Sequence, residues 1–155
     1  MAEVASTAAA SPCIFCQIAR SSTPLLHQDD KVLAFQDINP SAFRHYLVIP
    51  VEHIPTVKDL QRRPEDYSLV SHMLNVGKFL LQQDAPHSLQ HRFGFHQPPC
   101  NSINHLHLHC FALPFIPRWK HLKYLSFGPL GGFIEAEKLL EKIKPYCMEL
   151  HGRLG

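Results

Sequence analysis

The segment His105-Leu106-His107-Leu108-His109-Cys110-Phe111 alternates imidazole and apolar side chains. Successive side chains on an extended strand point to opposite faces, so the run predicts a strand with three histidines on one face and Leu106, Leu108 and Cys110 on the other. Such a strand needs a core behind its apolar face. The chain can supply one: 155 residues suit a single domain, 45% are hydrophobic, 18% are charged and 10 are Phe. Histidine is in excess, 12 against 13 Asp and Glu. At that frequency an H-x-H-x-H window arises by chance with a probability of ~0.07 across the chain. A purely structural strand would carry Val or Ile at those positions, since each buried imidazole requires a donor, an acceptor or water.

Charge and hydropathy narrow the function classes. A net charge of +2 with histidine neutral leaves no broad basic field for a nucleic-acid backbone, so a small-molecule partner is expected and nucleic acid is not. Arg44, Lys58, Arg62 and Arg63 read as a solvated face. No window approaches eighteen unbroken apolar residues, which argues against an ordinary membrane-spanning helix and a membrane partner. Residues 1–11 carry Glu3 where a signal peptide would be basic, and read as a mobile N-terminal tail; residues 12–144 form the expected domain and 145–155 a C-terminal tail. The five cysteines are odd in number, and Cys13 and Cys16 form Cys-x-x-Cys, a spacing that favours metal or redox chemistry over a secreted disulfide framework. The expected compartment is the cytoplasm, with the nucleus second.

Ile14, Phe15 and Ile18 have helical spacing, which predicts a short helix over Cys13 to Ala19. Val32 to Phe35 reads as a strand before an Asn39-Pro40 turn. Tyr46-Leu47-Val48-Ile49 is apolar throughout and predicts a central strand buried on both faces. From Pro64 to Gln82, apolar residues recur at three and four residues, giving an amphipathic helix with proline in its first turn. Arg92 to His96 and Asn104 to Phe111 alternate and read as neighbouring antiparallel strands. Leu122 to Phe127 is expected as an edge strand, and Ile134 to Ile143 as a helix. The sum is an α+β domain with a sheet of about five strands and helices on one side.

Three imidazoles on one face can act in two ways. They can form a three-histidine metal site with an open fourth position. Alternatively, one neutral imidazole is a nucleophile, its tautomer fixed by a backbone acceptor, while its neighbours offset phosphate charge and protonate a leaving group.

The segment resembles the histidine triad, H-φ-H-φ-H-φ-φ, of the superfamily named for it. Phe35-Gln36-Asp37-Ile38-Asn39-Pro40 and the run His45 to Ile54 resemble that family's F-x-D-I-x-P and H-φ-L-V-I-P-x-x-H-I segments in order and spacing. Gly94-Phe95-His96-Gln97-Pro98-Pro99, Ser102-Ile103-Asn104-His105 and the stretch Phe133 to Lys142 resemble most closely the third vertebrate branch of histidine triad nucleotide-binding proteins. The match runs from about Cys13 to Lys144.

That resemblance implies an antiparallel sheet with a central and a C-terminal helix, usually in a homodimer. It also implies hydrolysis of AMP-linked amines to AMP and amine, an adenosine 5'-monophosphoramidase activity. Carried over by position, His107 attacks the α-phosphorus and forms a nucleotidyl-histidine that water resolves. His105 orients it, and His109 contacts phosphate or leaving group. Ser102 bonds near the phosphate, and His45 stands close to the triad. Asp37 takes the ribose hydroxyls with Ile38 beside the base. No cofactor is required for this chemistry. In some members a structural zinc is held by residues matching Cys13, Cys16, His53 and His105, while others keep the fold without metal.

Each assignment has a plainer competitor. Asp37 can cap its own turn, Ser102 can cap the turn after Pro98, His45 and His96 can be ordinary polar residues, and Cys13 and Cys16 can be small buried side chains. Two other functions stay open: removal of AMP from adenylated nucleic acid, as in the aprataxin-like branch, which the Gly-Phe-His segment partly resembles, and a nucleotide-binding regulator with vestigial catalysis.

Overall fold

The computed structural model describes residues 13–147. The N-terminal tail expectation and most of the C-terminal one therefore lie outside the described residues. Helix α1 (Ile14–Ile18) is followed by strands β1 (His27–Gln28), β2 (Val32–Gln36) and β3 (Ala42–Pro50). Helix α2 (Pro64–Asp84) then leads to β4 (His91–Gln97) and β5 (Leu108–Phe115), and β6 (Gly132–Glu135) runs directly into α3 (Ala136–Ile143). The strands form one antiparallel sheet in the order β1-β2-β3-β5-β4-β6.

The sheet class is as the sequence predicts, with six strands in place of about five. Tyr46, Leu47, Val48 and Ile49 are all buried in an interior strand. The expected edge strand at Leu122 to Phe127 is instead a 3-10 turn (Arg118–Tyr124) packed on the sheet, with a single bridge from Ser126 to Gly132. The edge position belongs to β6, so Ile134 and Glu135 are strand and the last helix starts at Ala136. Gly131 and Gly132 adopt φ of 108° and 83°, which bend the chain back into the sheet, and a Gly-Gly pair reads as a break in sequence.

The alternation of the histidine segment is realised in full. Leu106, Leu108 and Cys110 join the main core, with Val48, Val70, Met73 and Leu81 among its members, under α2 and α3. Gly77 lets α2 close on β5, since a Cβ there would lie 2.5 Å from the Cys110 sulfur. The opposite face is also covered, contrary to an arrangement with helices on one side only. Phe15 of α1 packs with Leu33, Phe35, Leu47 and Ile49. Five residues of helix cannot persist alone in water, so α1 is held by this burial.

A polar clamp pins the outer edge. Asp29, in the β1–β2 turn, accepts backbone N–H bonds from Lys31 and Val32 on Oδ1, both at 2.8 Å, and faces His27 and His72 through Oδ2 at 2.6 and 2.7 Å. These are hydrogen bonds, because ligands sharing one tetrahedral metal at about 2.1 Å would stand ~3.4 Å apart. No described helix is long and apolar enough to cross a membrane.

Candidate active site

The formal β5 ladder starts at Leu108, so His105 and His107 lie on its extended approach and His109 within it. Sheet register places His109 opposite Leu47 on β3 and Gly94 on β4. All three histidines are buried, and so is His45.

His107 has one defined tautomer. Its Nδ1 lies 2.7 Å from the His105 carbonyl, which only accepts, so the proton sits on Nδ1 and Nε2 carries a bare lone pair. Burial lowers its pKa to about 4, against the opposing effect of that hydrogen bond, and keeps the ring neutral near pH 7. Phe15 stands edge-on to His107 at 5.3 Å and to His105 at 5.8 Å, so α1 walls this part of the site with an aromatic ring.

His45, His109 and His96 form a single directed hydrogen-bond chain. The Ser41 N–H donates to His45 Nδ1 at 3.1 Å, and a backbone N–H has no other role, so the proton of neutral His45 is on Nε2. That N–H donates to His109 Nδ1 at 2.9 Å. His109 then carries its proton on Nε2, which faces His96 Nδ1 at 3.2 Å. At the far end His96 Nε2 donates to the Lys123 carbonyl at 2.8 Å. A fixed donor at one end and a fixed acceptor at the other agree on the same tautomer for every ring. Burial is the main cause that lowers the pKa of all three, His45 to about 3 with Lys120 and Lys123 adding to the effect.

Asp37 serves two neighbours. Its Oδ1 accepts the Asn39 N–H at 2.8 Å, which is the turn-capping role, and its Oδ2 lies 3.5 Å from His45 Nε2. Burial raises its pKa. Ile38 is fully exposed and Ser102 is exposed on the loop before the triad, so neither packs against the histidines.

The four candidate metal ligands converge from three parts of the chain. His53 Nδ1 and His105 Nδ1 are 3.2 Å apart, Cys13 Sγ and Cys16 Sγ lie 3.4 and 3.5 Å from His105 Nδ1, and Cys16 Sγ is 3.3 Å from His53 Nδ1. Tetrahedral zinc with bonds of about 2.05 Å to nitrogen and 2.3 Å to sulfur would separate its ligands by ~3.3 to 3.6 Å. His105 Nε2 donates to the Pro50 carbonyl at 2.9 Å, leaving Nδ1 bare toward the thiols, the orientation a metal ligand needs. Donor set, spacing and tautomer all fit zinc.

The structure brings His45 and Asp37 beside His109 of the triad. Sequence reading gave no place to Ser41, Lys123 or Tyr124, which stacks on His96 at 5.2 Å, and left His96 unassigned. The signal for His96 was present in the β4 alternation, but only cross-strand register brings its ring to His109.

A buried neutral histidine with an aimed lone pair, beside two more triad imidazoles on an antiparallel sheet, defines a histidine triad protein. The chain belongs to that superfamily: residues 12–124 match the family described as the scavenger mRNA decapping enzyme C-terminal binding domain. It is 74% identical over 135 residues to a bifunctional adenosine 5'-phosphosulfate phosphorylase/adenylylsulfatase of Arabidopsis thaliana, covering 86% of this chain and 92% of that one. An adenosine 5'-monophosphoramidase of Xenopus tropicalis is 39% identical over 140 residues, covering 85% and 87%. A histidine triad family hydrolase from Legionella pneumophila superposes with a TM-score of 0.59 at 33% identity, over 64% of this chain and 91% of that one. At this level the chain is a histidine triad nucleotide hydrolase.

Proposed function

We propose that the chain moves the AMP group of an adenylyl conjugate onto His107 and then onto water, with adenosine 5'-phosphosulfate as preferred substrate and AMP-linked amines as a second class. The observation that carries this is the bare Nε2 of His107, buried, neutral and fixed by the His105 carbonyl. A nucleophile of that kind splits one difficult displacement into two easier ones.

In the first step Nε2 forms a bond to the α-phosphorus while the bond to the leaving group breaks. Sulfate departs as the anion of a strong acid and takes no proton. An amine takes one as the P–N bond breaks. In the second step water bonds to the phosphorus as the P–N bond to His107 breaks, its proton passes to solvent, and AMP and neutral His107 are released. Inorganic phosphate in place of water gives ADP, in keeping with the phosphorylase name of the 74% identical relative. That relative supports the sulfate conjugate, and the 39% identical phosphoramidase supports the amine class. The neutral histidine chain adds to the case for sulfate, since it holds no surplus proton to give away.

Asp37 takes the ribose hydroxyls as bidentate acceptor, exposed Ile38 offers its side chain to the base, and Ser102 bonds the phosphate from its loop. His109 donates toward the phosphate or leaving group, with His45 behind it. A zinc ion held by Cys13, Cys16, His53 and His105 would act structurally, tying α1 to the triad approach. The homodimer and the cytoplasmic or nuclear setting belong to the same reading, and light scattering tests the dimer.

The test is release of AMP and sulfate from adenosine 5'-phosphosulfate, and of AMP and amine from an adenosine phosphoramidate, by the full chain and by His107→Ala. Turnover that requires His107, with sulfate release the faster, supports the proposal. Equal turnover in the variant, or none of either substrate by the unaltered chain, overturns it. Adenylated DNA as a third substrate checks the alternative of AMP removal from nucleic acid.

A further inference from the structure

We infer that His96 is the port through which a proton reaches His109 when the leaving group requires one, so that it controls the cleavage of P–N but not of P–O–S conjugates. This rests on the adenylyl-transfer reading above. The chain Ser41 N–H, His45, His109, His96, Lys123 carbonyl holds one proton per ring and runs in one direction. If neutral His109 gave its Nε2 proton to a departing amine, it would need a replacement at Nδ1 from His45 Nε2. His45 cannot be refilled from behind, because the group on its Nδ1 is a backbone N–H that keeps its proton. The neutral chain would end with an imidazolate, which is not accessible near neutral pH. P–N cleavage therefore needs one extra proton in the chain before the bond breaks, and P–O–S cleavage does not.

The His96 end is the more open to that proton, because the titratable group nearest His45 Nε2, the Asp37 carboxylate, stands 3.5 Å away, beyond ordinary hydrogen-bond reach. His45 and His109 are buried, whereas His96 is half-buried on β4, one strand in from the β6 edge, and bonds to a carbonyl of the 3-10 turn. A proton arriving at His96 Nδ1 removes the acceptor of the His109 Nε2–H, and that N–H is then free to serve the leaving nitrogen. The amine takes that proton as the P–N bond breaks, His109 becomes bare at Nε2, and the proton at His96 Nδ1 refills it. Each transfer moves one proton and leaves His45, His109 and His96 neutral at the end. The groups facing His96 are His109 from β5, His107 beside it, Lys123 and Tyr124 from the 3-10 turn, and Phe133 from β6. Burial, with the Lys123 charge adding to it, opposes a charge on His96, so the protonated state is populated only as the pH falls.

Two variants test this. His96→Phe keeps a ring against Tyr124 and Phe133 but removes both nitrogens, and His96→Asn keeps an acceptor toward His109 but not the outward link. Rates are measured for adenosine 5'-phosphosulfate and an alkyl adenosine phosphoramidate between about pH 5.5 and 8, after subtraction of the uncatalysed reaction. For the unaltered chain, kcat on the phosphoramidate rises as pH falls while kcat on the sulfate conjugate stays flat. Both variants lose about 100-fold in kcat on the phosphoramidate, with its pH dependence flattened and KM little changed, and keep most of the sulfate rate. Nitrogen-15 spectra of the ring nitrogens give a readout free of activity: His45, His96 and His109 all protonated on Nε2. Equal losses on both substrates, or His109 protonated on Nδ1, overturn the inference. If the unaltered chain turns over neither substrate, the underlying function is what has failed, and the inference falls with it.

Discussion

His107 Nδ1 lies 2.7 Å from the carbonyl oxygen of His105, two residues earlier on the same extended segment. The ring proposed as nucleophile is thus oriented by main chain, not by a side chain that mutation could remove. Substituting the ring itself is the direct probe. His107→Ala is expected to lower turnover of either adenylyl substrate by at least about a thousand-fold, as losing a covalent nucleophile does elsewhere. Rapid mixing and non-acidic quenching, followed by mass spectrometry, should find an AMP adduct on the unaltered chain and none on the variant. An adduct on any other residue would sink the assignment.

Buried imidazoles also couple stability to pH. In the unfolded chain His45 takes up a proton near its ordinary pKa of 6.5, whereas in the folded chain burial holds it at about 3, and His109 is shifted the same way. Between those values the unfolded state binds more protons, so the free energy of unfolding falls as pH drops from about 6.5 toward 3 and is level above that window. The slope per imidazole is on the order of 1 kcal/mol per pH unit. Urea midpoints at pH 7.5, 6, 5 and 4 check this, and a midpoint that holds constant down to pH 4 would refute it.

The legible and illegible parts of this molecule divide by range. The triad strand was readable because a period of two is a local property of seven residues, and Leu106, Leu108 and Cys110 lie in the core as that period demands. Pro64 marked the start of α2 because a proline lacks an N–H that a first helical turn does not need. The edge of the sheet was misread because β6 is four residues long and begins at glycine, while Leu122 to Phe127 has the apolar content of a strand but winds into a 3-10 turn. The convergence of Cys16, His53 and His105 spans 37 to 89 residues of sequence separation, which no local pattern encodes. Resemblance alone suggested it. The role of His96 depends on β4 register and on the carbonyl of Lys123 arriving from another segment, so only coordinates reveal it.

The zinc geometry has its own consequence. Removing either thiol should weaken metal binding strongly, because one thiolate with His53 and His105 leaves the fourth position of a closed structural site unfilled. Metal analysis of the purified chain is expected to give one zinc, and Cys13→Ser or Cys16→Ser to give substantially less with a thermal midpoint several degrees lower. A chelated chain should still release AMP, more slowly if α1 loosens over His107. Absence of zinc from the unaltered chain after purification without chelator would show the four residues to be a hydrogen-bonded cluster.

Asp29 takes part in four hydrogen bonds, three within the β1–β2 hairpin and one, from His72, that ties it to α2. Burial works to raise its pKa, but the bonds from His27, Val32, His72 and Lys31 outweigh it and hold the carboxyl well below the usual range. Asp29→Ala leaves both backbone donors without their acceptor and should cost about 1 to 3 kcal/mol. Because the clamp is outside the histidine chain, kcat should be nearly unchanged while the urea midpoint falls. A large loss of kcat with unchanged stability would show that the clamp reaches the site.

The close approach of α2 to β5 can be tested by a double-mutant cycle. In Gly77→Ala, the added methyl gains about 1 kcal/mol of helix propensity, but its carbon would stand 2.5 Å from the Cys110 sulfur and 3.4 Å from the Phe93 ring. Cys110 is fully buried in the core and cannot swing aside, so overpacking of about 1 to 3 kcal/mol is expected to win and the single variant to be destabilised. Cys110→Ala alone opens space and should also destabilise. Combined, the methyl added on α2 occupies the volume the sulfur vacates, and the double variant should be more stable than the sum of the two losses allows, with a coupling of about 1 kcal/mol or more. Simple additivity in urea unfolding would mean that the helix shifts outward to accept the methyl, and that the sulfur does not set the spacing.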